Sequence, residues 1–375
     1  MPKMLSPTIP RLGRQPALDG IRGVAVLVVL GHNLGWDWLR GGFFGVDMFF
    51  ALSGFLITTL LLEEYSRTGG ISLGRFFVRR GLRLYPALVV LVAFSVASVF
   101  VFHPPVAAPR VTLMAVSVLG YFSNWVLALD SHAWAGGMGH TWSLAIEVHF
   151  YILWALIVVA VTRRRGADLW LLGGLAFSIA LVSGMWRAVA WLMGWEASYL
   201  YADTDARLDS VFLGAGVALL RLGHFNDPQA SPLRHMNRWT IWSFETACIA
   251  VLATLVYTVR QSAPTAYLGG FGVAGGATAL LILTTQLSKH SFVAKAAALP
   301  VLAWFGVVSY SIYLWHVPVG KVLPAEKFAA LGLPPMAVEM LRAAIVVVIA
   351  AGSYYGIERY FLRLKNREKS PVTQR

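Results

Sequence analysis

Apolar stretches about as long as a bilayer is thick recur from one end of this 375-residue chain to the other. A helix needs about 20 such residues to cross a hydrocarbon core about 30 Å deep. Runs of this kind fall at roughly 18–34, 43–62, 76–102, 111–129, 141–162, 168–194, 207–222, 240–259, 267–287, 299–319 and 338–361. They leave no room for a water-soluble domain of ordinary size, and a composition of 57% hydrophobic and 13% charged residues agrees. The expected fold is all-α, a polytopic helical membrane protein. One integral domain covers 18–361, between tails at 1–17 and 362–375.

The net charge of +13 does not point to nucleic acid, because the basic residues sit in short clusters between apolar runs. Arg75/Arg79/Arg80/Arg83, Arg163–Arg165, Arg234/Arg238 and Arg363/Lys365/Arg367/Lys369 read as topology markers kept on the cytoplasmic side. Both tails are basic, which predicts both termini in the cytoplasm and an even number of crossings. Eleven runs break that parity. The conflict disappears if 111–129 is re-entrant or lies along the outer face, giving ten crossings. The N-terminus lacks the apolar core and cleavage site of a signal peptide, so 18–34 is expected to stay in the mature protein. The lone Cys248 excludes an intrachain disulfide.

Ionisable groups interrupt several of these runs. Polar groups at bilayer depth are costly and usually line a protein-interior cavity. At a rise of about 1.5 Å per residue, His32 lies roughly 21 Å from the inner edge and His316 roughly 25 Å. Asp47 and Glu147 lie about 6 and 9 Å deep from the outer side. All four are expected in one layer of the outer half of the membrane.

His32 and Asp47 form the most attractive pair for chemistry. An imidazole can take a proton from a hydroxyl near neutral pH. A carboxylate on its other nitrogen would fix the tautomer and support the imidazolium. The alternative is a pair of interhelical hydrogen bonds. In FFVRRGLRLYP, Arg79 and Arg83 share a helix face and Arg80 flanks it. They fit either bidentate phosphate binding or topology marking with anionic-lipid contact. Glu147 in HTWSLAIEVHFY is either a structural partner or a site member. The segments around Trp142, Arg207, Asp209, Tyr310 and His316 are read as lining for an acceptor or cavity. No Gly-rich phosphate loop, zinc-ligand spacing or nucleophile elbow is present, and no metal is expected.

Together, LDGIRG with His32, GVDMFFALSGFLIT, RRGLRLYPAL, TWSLAIEVHFY, TDARLDSVFLGAGVAL and SYSIYLWHVPV resemble the acyltransferase-3 family of integral membrane O-acyltransferases. The resemblance runs from residue 18 to 319. It implies about ten spans, an acyl-coenzyme A donor on the cytoplasmic side, and transfer to a hydroxyl, often on an envelope glycan. It makes His32 the catalytic histidine, Asp47 its partner acid and Glu147 the acid of the WSL motif. Arg22, Arg79, Arg80 and Arg83 become donor-binding positions. Two departures stand out. Ten residues separate Arg22 from His32, one fewer than in many members, which sets them about 80° apart around a helix. Val148 and His149 replace a second acid and a glutamine.

The expected activity is transfer of an acetyl or other short acyl group, such as succinyl, from acyl-coenzyme A to a cell-envelope carbohydrate in the plasma membrane. Without a fused esterase-like domain, an acyl relay is expected to need a separate protein. Two alternatives stay open: a diffusible acceptor such as a macrolide or a glycolipid, and a transporter or flippase using the same polar layer.

Overall fold

The computed structural model describes residues 11–102, 108–130 and 137–367, so the expected tails at 1–17 and 362–375 lie mostly outside the described residues. Every regular element among them is helical. Eight helices are long and apolar enough to cross a membrane, and a pair bent by 67° (Pro300–Val307 with Ser309–Val322) makes nine. The helix α1 (Pro16–Asn33) is not among them, because Asp19, Arg22, His32 and Asn33 crowd its two ends. Its 18 residues nonetheless span about 27 Å, and with it the total reaches the ten read from the sequence. The chain divides into two compact units, 1–71 with 143–307, and 72–142 with 308–375.

In the first unit, α2 (Gly45–Thr68) is the axis. Against it pack α9 (Leu208–Asn226) and α11 (Phe271–Leu287), and α6 (Trp142–Arg165, in this unit from Ser143) is hydrogen-bonded to it; α7 (Leu169–Leu192) packs on α9 and α10 (Arg238–Thr258) on α11. The helices α12 (Phe292–Ala297) and α13 (Pro300–Val307) pack on α1. Ile21, Ala25, Met48, Leu52, Phe55, Ala218 and Ile282 share one core between α1, α2, α9 and α11.

Polar pairs fix the helix directions. Ser53 on α2 hydrogen-bonds Glu147 on α6, and further along Trp154 donates to Thr58 at 2.8 Å. At the far ends Gly69 and Gly70 border the same cavity of about 390 Å³ as Arg163 and Arg164. The two helices are therefore parallel. An odd number of crossings must separate them, which α3 (Leu73–Phe102) supplies alone. A full crossing by 111–129 would have reversed α6. The same test sets α9 parallel to α2, since Ser210 meets Asp47 near their starts and Gly214 meets Ala51 one turn further along both.

Where α2 and α9 cross, glycine is a steric requirement. A Cβ on Gly54 would sit 1.8 Å from the Val211 carbonyl oxygen, and one on Gly214 would sit 2.0 Å from that of Ala51. Helices in lipid associate through such close approach of small residues. Gly54→Val is expected to cost about 1–3 kcal/mol or more by overpacking. Gly173→Ala, where nothing lies within 4 Å, should be neutral. Thermal unfolding of the two variants in detergent checks this.

The second unit contains α3, α4 (Ala108–Leu119), α5 (Ser123–Leu129), α14 (Ser309–Val322), α15 (Pro335–Ser353) and α16 (Arg359–Arg367). The expected run 111–129 is not one helix. Tyr121 adopts the left-handed region at φ 56°. Its N–H reaches the Val118 carbonyl at 3.2 Å, and the Phe122 N–H reaches that of Ser117 at 2.9 Å. This is the hydrogen-bond pair of a helix C-cap, and it ends α4 after 12 residues. That piece rises about 18 Å, too short to cross.

Candidate active site

One end of the first unit collects the last turn of α1, the starts of α2, α6, α9 and α11, and the ends of α7 and α10. His32, Asp47 and Glu147 all lie at this end of the unit. His316 belongs to the second unit.

His32 occupies the penultimate position of α1. Gly35, at φ 83°, turns the chain immediately after it. The Gly35 N–H bonds the His32 carbonyl at 3.1 Å and the Trp36 N–H bonds that of Gly31 at 3.0 Å, a complete helix stop. The loop then folds back through short 3₁₀ turns at Asp37–Leu39 and Gly42–Phe44. This return brings the Leu39 carbonyl within 3.0 Å of His32 Nδ1. A carbonyl can only accept, so Nδ1 carries the proton and Nε2 of the neutral ring is the basic nitrogen. The Phe43 ring meets the imidazole edge-on at 5.7 Å. Gly42 lets the loop lie on α1, since a Cβ there would stand 2.5 Å from His32 Cβ.

The expected His32–Asp47 pairing is not what the structure contains. Asp47 is completely buried, and both its oxygens lie 3.1 Å from Arg207 Nη2. Ser210 Oγ donates to it at 2.8 Å. Arg207 is itself fully buried, with its guanidinium 3.7 Å from the Phe271 ring centre. The physical reason is charge. A fully buried carboxylate gains far more from a permanent cation than from a neutral imidazole. The backbone of Leu39 takes over the orienting job assigned to the acid.

A second ion pair adjoins the first. Arg187 on α7 bonds Asp209 Oδ2 at 2.7 Å, the Ala206 carbonyl at 2.7 Å and the Tyr267 carbonyl at 3.3 Å. Two aspartates and two arginines thus tie α2, α7 and α9 together with zero net charge. Asp209 and Arg207 were expected as lining and instead belong to this framework. Arg187 was missed, although a lone arginine inside the run 168–194 was the signal. Glu147 joins α6 to α2 through Ser53 and also accepts from Tyr151 at 3.2 Å. His149 lies 2.8 Å from Thr204. In the adjoining loop, burial and then the Asp205 charge push the Asp203 carboxyl up.

Arg22 lies ten residues before His32, about 15 Å along α1, and faces Asp19 at 3.7 Å. In the second unit, Arg79, Arg80 and Arg83 are half-buried on α3, with Arg80 over the Phe76 ring at 5.8 Å. Tyr310 donates to the Leu84 carbonyl at 2.7 Å. Trp142 is buried at the head of α6. His316 Nδ1 donates to the Tyr313 carbonyl at 2.6 Å, and its ring lies 5.0 Å from that of His140, a buried neighbour that sequence reading overlooked.

Comparison with known proteins gives the family. The acyltransferase-domain family model matches residues 15–355. A peptidoglycan O-acetyltransferase of Listeria monocytogenes is 30% identical over 352 residues, covering 92% of this chain and 55% of the relative. A Bacillus subtilis protein provisionally named a peptidoglycan O-acetyltransferase is 32% identical over 357 residues, covering 92% and 54%. A Staphylococcus aureus protein provisionally named an O-acetyltransferase is also 32% identical, covering 92% and 57%. The chain spans little more than half the length of these relatives. No solved structure gives a significant match. The match over almost the whole helical domain leaves one assignment: this multi-pass membrane protein belongs to the acyltransferase-3 family.

Proposed function

We propose that the protein moves a short acyl group, acetyl in the first instance, from acyl-coenzyme A to a hydroxyl of an envelope glycan such as peptidoglycan. The observation that carries this reading is the His32 ring, held by the Leu39 carbonyl with Nε2 as its basic nitrogen. His32 Nε2 takes the proton of the acceptor hydroxyl as that oxygen attacks the thioester carbonyl. The tetrahedral intermediate then collapses, breaking the C–S bond. The departing thiolate recovers the proton from the imidazolium, leaving an ester and free coenzyme A. The Asp47–Arg207–Asp209–Arg187 framework holds the starts of α2 and α9 beside the loop, without touching the ring.

Arg79, Arg80 and Arg83 take the donor's phosphates. Replacing any of the three by Ala should raise the donor KM about tenfold, with little change in acceptor KM, and Lys should rescue only in part because it lacks the bidentate fork. Unchanged donor KM in all three would return the cluster to topology marking. The assay is acyl transfer from labelled acyl-coenzyme A by purified protein to a glycan, a glycolipid and a macrolide. Transfer to none of them would sink the reading.

The orientation that serves this chemistry puts the His32 end of the first unit outside and the end bearing Arg163–Arg165, Arg234 and Lys289 in the cytoplasm. Cysteines engineered at 38 and 165 should then label from opposite sides, 38 from outside and 165 from inside. Labelling of 165 from outside would reverse the orientation.

A further inference from the structure

The loop that locks His32 carries two tryptophans that the chemistry above leaves unused. Trp36 and Trp38 stack with ring centres 5.3 Å apart and planes 24° from parallel. Trp38 is 49% exposed. Trp36 packs against the last turn of α1, where a Cβ on Gly31 would stand 2.7 Å from its ring. Trp36 Nε1 is buried with no acceptor among the described residues. Beside the rings, Asp37 and Arg40 are exposed, and the Arg40 Nε–H donates to the Asp37 carbonyl at 3.0 Å.

We propose that Trp36 and Trp38 form the platform on which the acceptor glycan lies, with a hexosamine ring stacked on Trp38. This rests on the acyl-transfer reading and names the acceptor's seat. An indole offers a broad apolar face with a polar edge, which matches the apolar C–H face and hydroxyl rim of a pyranose. Ligand sites combine such aromatic walls with a few fixed polar groups, here the exposed Asp37 and Arg40. Chain continuity sets the position. Leu39, whose carbonyl holds the His32 ring, is the residue after Trp38, so sugar seat and general base are built by one turn. The rival occupant is the bilayer interface, where tryptophans commonly anchor a membrane protein. Three features favour the sugar: the rings pair with each other, they sit on the loop whose Leu39 carbonyl holds the histidine, and charged residues flank them.

The test is binding of a β-1,4-linked N-acetylglucosamine oligomer to full-length protein in nanodiscs, by calorimetry, in a His32→Ala background that prevents turnover. Trp38→Ala should weaken binding about tenfold, as expected for truncating an exposed aromatic anchor. Trp38→Phe should recover part of the loss. Trp195→Ala is the control, a 40%-exposed tryptophan packed edge-on in a different cluster. Equal affinity of Trp38→Ala and its parent overturns the proposal, as does failure of the parent to bind the oligomer. So does a loss shared with Trp195→Ala, which marks a common anchoring role. Oligomer binding that depends on Trp38, without transfer by wild-type protein, would sink the acyl-transfer reading and leave the platform standing.

Discussion

His32→Ala is expected to remove about 10²–10⁴-fold of the transfer rate, the usual loss when a general base is deleted. Expression and thermal stability should stay close to wild type, because the ring is only half-buried and makes one hydrogen bond. His32→Asn separates the two roles open to the residue. Its side-chain amide can donate to the Leu39 carbonyl in place of Nδ1 and so keep the loop in position. It has no basic nitrogen. If His32 acts as the base, Asn will be as inactive as Ala. If His32 only pins the loop, Asn will restore most of the rate. Steady-state transfer from labelled acyl-coenzyme A reads both variants, and activity of Ala within threefold of wild type would take His32 out of the mechanism.

Arg207→Ala is expected to lower stability by about 3–5 kcal/mol, the range for stranding one member of a buried ion pair. Both members of the Asp47–Arg207 pair have side chains without solvent exposure. Asp47→Asn strands the buried Arg207 cation in turn and should also destabilise, although Ser210 can still hydrogen-bond the new amide. Combining Asp47→Asn with Arg207→Gln should cost less than the two single changes added together. Thermal unfolding in detergent measures the series. The kinetic signature is equally specific: Asp47→Asn should leave the shape of the pH–rate profile unchanged, because Leu39 and not Asp47 orients the imidazole. A displaced profile would put Asp47 back beside His32.

Much of the fold was legible before any coordinates. Length and polarity of the runs gave the helices, and the positions of basic residues required an even number of crossings. The parity also singled out 111–129 as the segment that does not cross. Its actual break was harder to see. Tyr121, not a glycine, takes the left-handed position at the helix stop, so no residue type announced it. The bend of 67° between Pro300–Val307 and Ser309–Val322 was hidden for a similar reason. The apolar pattern continues through it, and hydropathy has no term for direction.

The site divides along the same line. Its residues were visible singly, because an ionisable group inside an apolar run is conspicuous in a one-dimensional reading. His32, Asp47 and Glu147 were found that way, and Arg187 could have been, whereas Arg207 and Asp209 stood in a segment that reads as an outer loop leading into a span. Their partners were not visible. Asp47 and Arg207 are 160 residues apart, and Ser53 and Glu147 are 94 apart. Which carboxylate meets which cation is set by where helices cross, and the α2–α9 crossing is set by two glycines. The sequence determined how many polar groups the membrane domain must satisfy, and roughly at what depth. Tertiary structure alone decided how they are satisfied. In a medium that offers no water, a carboxylate takes the strongest cation within reach. The imidazole is left to a backbone carbonyl seven residues away.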